Sequence, residues 1–493
     1  MLTSTRNAQE KCSAVEAVLR GLAPDGGLYM LPEIPFLYDR VRGERNYLVI
    51  AQALLTALLP GYSPEEIEAC VRGAYDEKFD TPEIAPTHFA GEHAVLELYH
   101  GPTAAFKDMA LSILPRLMTC AKKKLGAREE TMILTATSGD TGSAAICGFQ
   151  DIPGIRIVVF YPDAGVSRVQ RAQMVTNPGK NVEVCAIRGN FDDAQSGVKR
   201  IFSTVDPAKE IPEREVRFSS ANSINIGRLA PQTAYYFKAY ADCVAAGYIK
   251  EGEKLNFSVP TGNFGDILAG YLAKKAGLPV GTLICASNVN RVLTDFWESG
   301  VYDRNRAFEK SISPSMDILI SSNLERLIYL MCGEDTERVA GWMKSLSENG
   351  RYEVGEEMKA RLHEEFFAAC ATDEETMRAI AEAWRENRYL IDPHTAVAWK
   401  AMRDFERARP GAGKTVVLST ASPYKFPESV LRALGEEAKG DSFELIDRLQ
   451  AATNAPLPAG FAGLREKAEK HTDVIDRDDM ARYVVEKARK AVW

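Results

Sequence analysis

The sequence predicts an α/β protein built on mostly parallel sheets with helices on both faces. Three observations carry that expectation. From about residue 130, short apolar runs alternate with helical stretches. Most of the runs are rich in Val and Ile and lack strict in–out alternation, as strands covered on both faces do. Several of them lead into polar, glycine-punctuated loops, and parallel sheets hold their ligands at the carboxyl ends of strands.

Residues 1–95 form a first block, in which Gly21-Leu-Ala-Pro-Asp-Gly-Gly-Leu-Tyr29 is turn-rich and Leu48 to Leu59 reads as a helix stopped by Pro60-Gly61. A catalytic region is expected over 96–434, with a smaller lobe at roughly 130–215. Its strand-like runs are Met132–Ala136, Ile155–Tyr161, Val182–Ile187, Val216–Ser219, Leu255–Val259, Leu283–Ala286 and Val416–Ser419. Helical stretches such as Asp193–Val205 and Gln232–Ala246 lie between them, the order that right-handed crossovers produce. Residues 322–388 break the alternation with three helical patterns, at about 322–346, 354–370 and 373–387, and are expected to be a helical insertion. The remaining 435–493 is charged and helical, and Arg477–Val492 reads as an amphipathic helix docked on the surface.

The 493 residues are 45% apolar and 26% charged, with a net charge of −8. A mildly acidic surface argues against nucleic acid or an anionic membrane as the main partner, and an anionic substrate would need a locally basic pocket. The N-terminus lacks an apolar signal stretch and no 18-residue apolar span occurs, so a cytosolic protein is expected. The nine cysteines show no CxxC or zinc-type spacing and read as small core residues in a reducing compartment. The six histidines include no HExxH pair, so no metal site is expected and each reads as an ordinary core or surface residue.

Three strand ends carry loops with chemistry. Val259-Pro-Thr-Gly-Asn-Phe-Gly-Asp266 precedes a helical pattern, and its amides and the helix N-terminus would point free N–H groups at one spot, an anion site. Alone, the pattern fits a plain glycine turn between strand and helix slightly better. Leu134-Thr-Ala-Thr-Ser-Gly-Asp-Thr-Gly142 repeats the arrangement, with Thr137, Ser138 and Thr141 as donors for a carboxylate or phosphate; an N-cap cluster is the alternative. Val416-Val-Leu-Ser-Thr420 delivers Ser419 and Thr420 to a third strand end, which alone fits a strand terminus with satisfied hydroxyls better than a site. Gly411-Ala-Gly-Lys-Thr415 mimics the end of a P-loop but lacks the first glycine, replaced by Ala408, and precedes a strand instead of following one. Finally, Lys107 sits in the otherwise apolar Leu98–Leu111 stretch at the start of a helical run. Burial and the positive end of a helix would both lower its pKa and make it a better nucleophile, unless it turns outward into solvent.

Together, His100-Gly-Pro-Thr-Ala-Ala-Phe-Lys-Asp108, Thr137-Ser-Gly-Asp-Thr-Gly142, Asn222-Ser-Ile-Asn225 with Arg228-Leu-Ala-Pro-Gln232, Thr261-Gly-Asn-Phe-Gly-Asp266 and Asp392-Pro-His-Thr-Ala-Val397 resemble the threonine synthase family of the longer bacterial and fungal type. The segments stand in the family's order. The resemblance implies the fold-type-II architecture of pyridoxal-phosphate enzymes, with two catalytic lobes and a monomeric chain. It implies conversion of O-phospho-L-homoserine and water to L-threonine and phosphate, the last step of threonine biosynthesis. By the same resemblance Lys107 bonds the cofactor, Gly262, Asn263, Phe264, Gly265 and Asp266 cradle its phosphate, and Thr420 faces the pyridine nitrogen.

The substrate is expected on the Thr137–Thr141 loop, including Ser138, Asp140 and Thr141, with Asn225, Arg228 and Lys425 as candidates for the leaving phosphate. Two residues depart from the family pattern: Asp266 stands where some members have Asn, and Ser422 where many have His. A carboxylate beside a phosphate is unfavourable, so Asp266 is expected to act through its backbone N–H. Another lyase of the same fold, such as a serine or threonine dehydratase or a phospho-amino-acid lyase, would share Lys107. An inactive binding protein of this fold is disfavoured by the retained Lys107 and intact glycine loop.

Overall fold

The computed structural model describes residues 1–490 except Gly165. Two sheets dominate. The larger has six strands in the order Phe366–Cys370, Val280–Ser287, Leu255–Pro260, Thr415–Ser419, His93–Glu97 and Thr87–Ala90. All neighbours are parallel except the last pair, a hairpin turned at Gly91, whose φ of +61° suits a residue without Cβ. The smaller sheet runs Asp473–Asp476, Val182–Arg188, Ile155–Pro162, Glu130–Ala136 and Val216–Ser219, entirely parallel. The central strands Ile155–Pro162 and Leu255–Pro260 are buried along their whole length, which explains their unbroken apolar runs.

All seven expected strands are present, and helices Phe191–Thr204 and Thr233–Ala245 fall where helical periodicity puts them. Other expectations need correction. The insertion is not purely helical: its first pattern divides into Leu324–Met331 and Thr336–Asn349 at Gly333 and Glu334, both with positive φ, and Phe366–Cys370 leaves the second pattern to become an edge strand of the large sheet. The catalytic sheet also reaches into the first block, because Thr87–Ala90 and His93–Glu97 belong to it. In the tail, Asp473–Asp476 pairs with Val182–Arg188, and the terminal helix is Met480–Arg489, entered through a short turn at Arg477–Asp479. Val492, the expected end of that helix, lies outside the described residues. Among the described residues no helix is long and apolar enough to cross a membrane.

Residues 1–75 fold as a three-stranded antiparallel sheet with helices Ala14–Arg20, Tyr47–Leu58 and Pro64–Tyr75 packed into the same apolar core as the catalytic region. This block approaches the carboxyl ends of the large sheet, where Arg6 joins the wall of the main cavity.

Candidate active site

A cavity of about 720 Å³ opens at the strand ends, between the two sheets and the first block. Five basic side chains line it, Arg6, Lys107, Lys199, Arg228 and Arg304, with four carboxylates, Asp140, Asp266, Asp317 and Glu325, of which Glu325 is paired with Arg6 and Asp140 with Lys425.

Lys107 is brought there by stitching to the last strand end. Phe106 N–H donates to Thr420 O at 2.8 Å, Ser422 N–H to Ala104 O at 3.0 Å, and Asp108 accepts from both the N–H and the hydroxyl of Thr103 at 2.8 and 2.7 Å. Ala104 holds a left-handed φ of +55° within this clamp. The ammonium makes no hydrogen bond among the described residues and stands 4.6 Å from the centre of the Phe106 ring. Burial pushes the Lys107 amine down to about 8; Asp140 and Asp266 oppose that, while Arg228 and Lys425 add to it. Thr420 is buried on the same wall, and its hydroxyl has no partner among the described residues.

The Gly262–Asp266 loop ends in the helix Gly265–Lys275, whose first internal bond is Leu268 N–H to Phe264 O at 3.1 Å. The amides of Gly265, Asp266 and Ile267 therefore have no helical acceptor. Phe264 has φ +63°, a conformation costly for an aromatic residue and held here by stacking on Trp297. A Cβ on Gly262 would lie 2.8 Å from Ser315 O, whereas one on Gly265 would meet nothing closer than 3.5 Å, so the space above the helix end is open. The Asp266 carboxylate accepts from Tyr235 and Tyr236 hydroxyls at 2.6 and 2.9 Å through Oδ1, and Oδ2 is unpartnered among the described residues. Burial pushes this carboxyl up to about 6 despite the two tyrosines.

Thr137 spends its oxygen as an acceptor for the amides of Gly139 and Gly142, at 2.9 and 2.8 Å, and so shapes the loop. Ser138 and Thr141 line the cavity with no hydrogen-bond partner among the described residues. Asp140 is committed to structure: its Oδ1 accepts from Lys425 and from Gln170, both at 2.9 Å. Burial alone would raise this carboxyl, but Lys425 and Lys107 outweigh it and hold Asp140 well below the usual carboxylate range.

Two of the expected phosphate ligands are not available. Asn225 is fully buried, with Oδ1 capping Gly227 N–H at 2.8 Å and Nδ2 donating to Val18 O at 2.9 Å. Lys425 is fully buried and spends its ammonium on Thr103 O, Gln173 Oε1 and Asp140. Arg228 does line the cavity: among the described residues its side chain donates once, from Nη1 to Ala221 O at 2.8 Å, its buried Nε is unpartnered, and Nη2 is the donor left free. Burial pushes that guanidinium down to about 10.

His394, read from sequence as an ordinary histidine, also lines the cavity. Asp392 accepts from its Nδ1 at 2.6 Å, and its Nε2 accepts Ser315 N–H at 3.1 Å. The signal was the Asp392-Pro-His394 segment itself, an N-cap carboxylate two residues before a histidine.

These features fit pyridoxal phosphate. The free amides of a helix start and the open space at Gly265 suit its phosphate. A lysine with a lowered pKa suits its aldehyde, and an unpartnered hydroxyl at Thr420 suits its ring nitrogen. Comparison with known proteins agrees. Residues 83–421 match the family model for pyridoxal-phosphate dependent enzymes, 1–75 that for the threonine synthase N terminus, and 395–484 that for the threonine synthase C-terminal region. A threonine synthase of Pseudomonas aeruginosa is 38% identical over 474 residues, covering 95% of this chain and 94% of its own. Threonine synthase-like 1 of Macaca fascicularis is 39% identical over 451 residues, and the chain spans only 59% of that longer relative. The crystal structure of pyridoxal-phosphate-bound threonine synthase from Brucella melitensis superposes with a TM-score of 0.86 at 36% identity, covering 99% of both chains. With the family models spanning both ends and the catalytic region, the chain belongs to the threonine synthase family of pyridoxal-phosphate-dependent enzymes.

Proposed function

We propose that the protein converts O-phospho-L-homoserine and water to L-threonine and phosphate. The observation that carries this reading is the pairing, in one cavity, of the lowered-pKa Lys107 with an Arg228 guanidinium whose Nη2 has no hydrogen bond among the described residues. The first suits proton transfer at carbon, and the second suits an anionic leaving group.

Lys107 would hold the cofactor, the amides of Gly262–Asp266 its phosphate, and the Thr420 hydroxyl its pyridine nitrogen. When bound, pyridoxal phosphate supplies an electron sink for negative charge at the substrate α-carbon. The Lys107 amine takes the α-proton and returns protons at later stages. A pKa near neutrality serves both directions, since the amine must be neutral to accept and acidic enough to give back. The unengaged Ser138 and Thr141 hydroxyls receive the substrate carboxylate. A β-proton is lost, with the Lys107 amine as its acceptor, as the γ-phosphate leaves beside Arg228 Nη2; water then adds at the β-carbon, and the γ- and α-carbons regain protons.

Product analysis after incubating the purified protein with O-phosphohomoserine tests the reaction. Threonine and phosphate in equal amounts are expected. Phosphate with 2-oxobutyrate would assign a lyase of a different outcome.

The lowered amine pKa has a kinetic consequence. Only neutral Lys107 attacks the cofactor aldehyde, so the association rate of pyridoxal phosphate with cofactor-free protein is expected to rise with pH to about 8 and then level off. Stopped-flow absorbance reads this directly; a rise that continues to about 10.5, the ordinary lysine value, before levelling would refute the buried-amine account.

Thr420 is expected to donate to an unprotonated ring nitrogen. Thr420→Ala then costs about 1 kcal/mol of cofactor affinity, one neutral hydrogen bond. Thr420→Asp still binds the cofactor but makes less threonine, because a carboxylate favours a protonated ring and a stronger sink that diverts the substrate to side reactions. Full threonine turnover in Thr420→Asp would remove Thr420 from the ring nitrogen.

A further inference from the structure

The Gly262–Asp266 loop is gripped from outside by residues that the proposed reaction does not use. Ser321 Oγ donates to Gly262 O at 2.6 Å, and Asn323 donates to Asn263 O from both its backbone N–H and its Nδ2, each at 3.1 Å. In a trans peptide the carbonyl and the following N–H lie on opposite sides. Holding the carbonyls of Gly262 and Asn263 from one side therefore aims the amides of Asn263 and Phe264 to the other. The same grip over-determines the left-handed Phe264, which would otherwise relax.

Asn323 is itself held. Its Nδ2 also reaches Ser223 O at 3.2 Å, and its Oδ1 accepts from Arg326 Nη1 at 2.6 Å. Arg326 is fully buried on the helix Leu324–Met331. Its Nε and Nη2 donate to Tyr29 O at 3.1 and 3.0 Å, and Nη2 also to Ile224 O at 2.6 Å. Among the described residues Arg326 donates only to carbonyl and amide oxygens, none to a carboxylate; burial pushes the guanidinium down to about 9, with Glu325 opposing. A buried cation without a bonded carboxylate is a costly way to join segments, unless the fixed fork of donors is what the site uses. The preceding residue, Glu325, binds the first block in parallel, accepting from Thr5 Oγ1 at 2.6 Å and from Arg6 Nε and Nη2 at 2.8 and 2.7 Å.

We propose that Arg326 is a positioning residue for the cofactor-phosphate loop: through Asn323 it orients the loop amides, and through Tyr29 O it makes the first block part of the phosphate site. The proposal rests on the reading of Gly262–Asp266 as that loop.

The test compares pyridoxal phosphate with pyridoxal, which lacks the phosphate, as ligands of the full chain. Dissociation constants are measured for the parent, Arg326→Lys, Asn323→Ala and Gly265→Ala. Arg326→Lys and Asn323→Ala are expected to weaken pyridoxal phosphate about tenfold or more, the scale of a buried hydrogen bond, and pyridoxal less than about twofold. Equal weakening of both ligands would reduce Arg326 to a general packing role, and no change in either would remove it from the site; both outcomes overturn the proposal. Should Arg326→Lys not fold, Asn323→Ala decides alone. Gly265→Ala separates the two levels: if it fails to discriminate the ligands, the phosphate-loop reading is what fails.

Discussion

Lys107→Ala is expected to lose turnover by about 10³-fold or more, the upper range for removing a positioned acid–base group, together with all covalent retention of cofactor. The variant keeps its fold. The substitution removes a costly buried amine, and Asp140, which would otherwise be left unpaired, retains Lys425 at 2.9 Å. Borohydride reduction of the loaded parent protein followed by peptide mapping should mark Lys107, and the same treatment of Lys107→Ala should mark nothing. Label on Lys425 is a specific alternative, since that lysine is near enough to influence both Asp140 and Lys107. Its three hydrogen bonds and full burial argue against it.

The second large effect separates two glycines of one loop. In Gly262→Val the new Cβ starts 2.8 Å from Ser315 O and 3.4 Å from Met316 Cα, both backbone atoms. The segment over the loop must move, and the Ser321 hydrogen bond to Gly262 O moves with it. Overpacking of this kind costs about 1–3 kcal/mol, so Gly262→Val is expected to lower the melting temperature of the cofactor-free chain and to weaken cofactor binding as well. Gly265→Ala behaves differently. Its Cβ has ordinary contacts only, the nearest being Asn323 Nδ2 at 3.5 Å, so the cofactor-free chain should melt as the parent does. Its loss appears only when pyridoxal phosphate must enter the space that the methyl group now occupies. Thermal melting with and without pyridoxal phosphate measures both. Equal destabilisation of the cofactor-free chain by the two variants would mean that the open space at Gly265 is not the cradle.

The parallel α/β fold, the strand ends that carry Thr137–Thr141, Gly262–Asp266 and Thr420, and the helix start that carries Lys107 are all legible in the sequence. Those signals are local. A doubly covered strand must be apolar throughout, and a strand-to-helix turn over an anion must be glycine-rich and polar. The elements it missed have weak local patterns. Phe366–Cys370 follows the helix Glu356–Glu365 without a breaker, and Asp473–Asp476 is a charged edge strand whose partner lies almost 300 residues earlier in the chain. Tertiary structure alone decided which polar side chains are free. Asn225, Arg228 and Lys425 look equally suited to an anion in sequence. Asn225 is consumed by Val18 and Gly227, and Lys425 by Thr103, Gln173 and Asp140, whereas Arg228 keeps Nη2 free among the described residues. Most of the partners that consume them come from distant segments, and a buried polar group is committed by whatever the fold places beside it, a property that no spacing along the chain encodes.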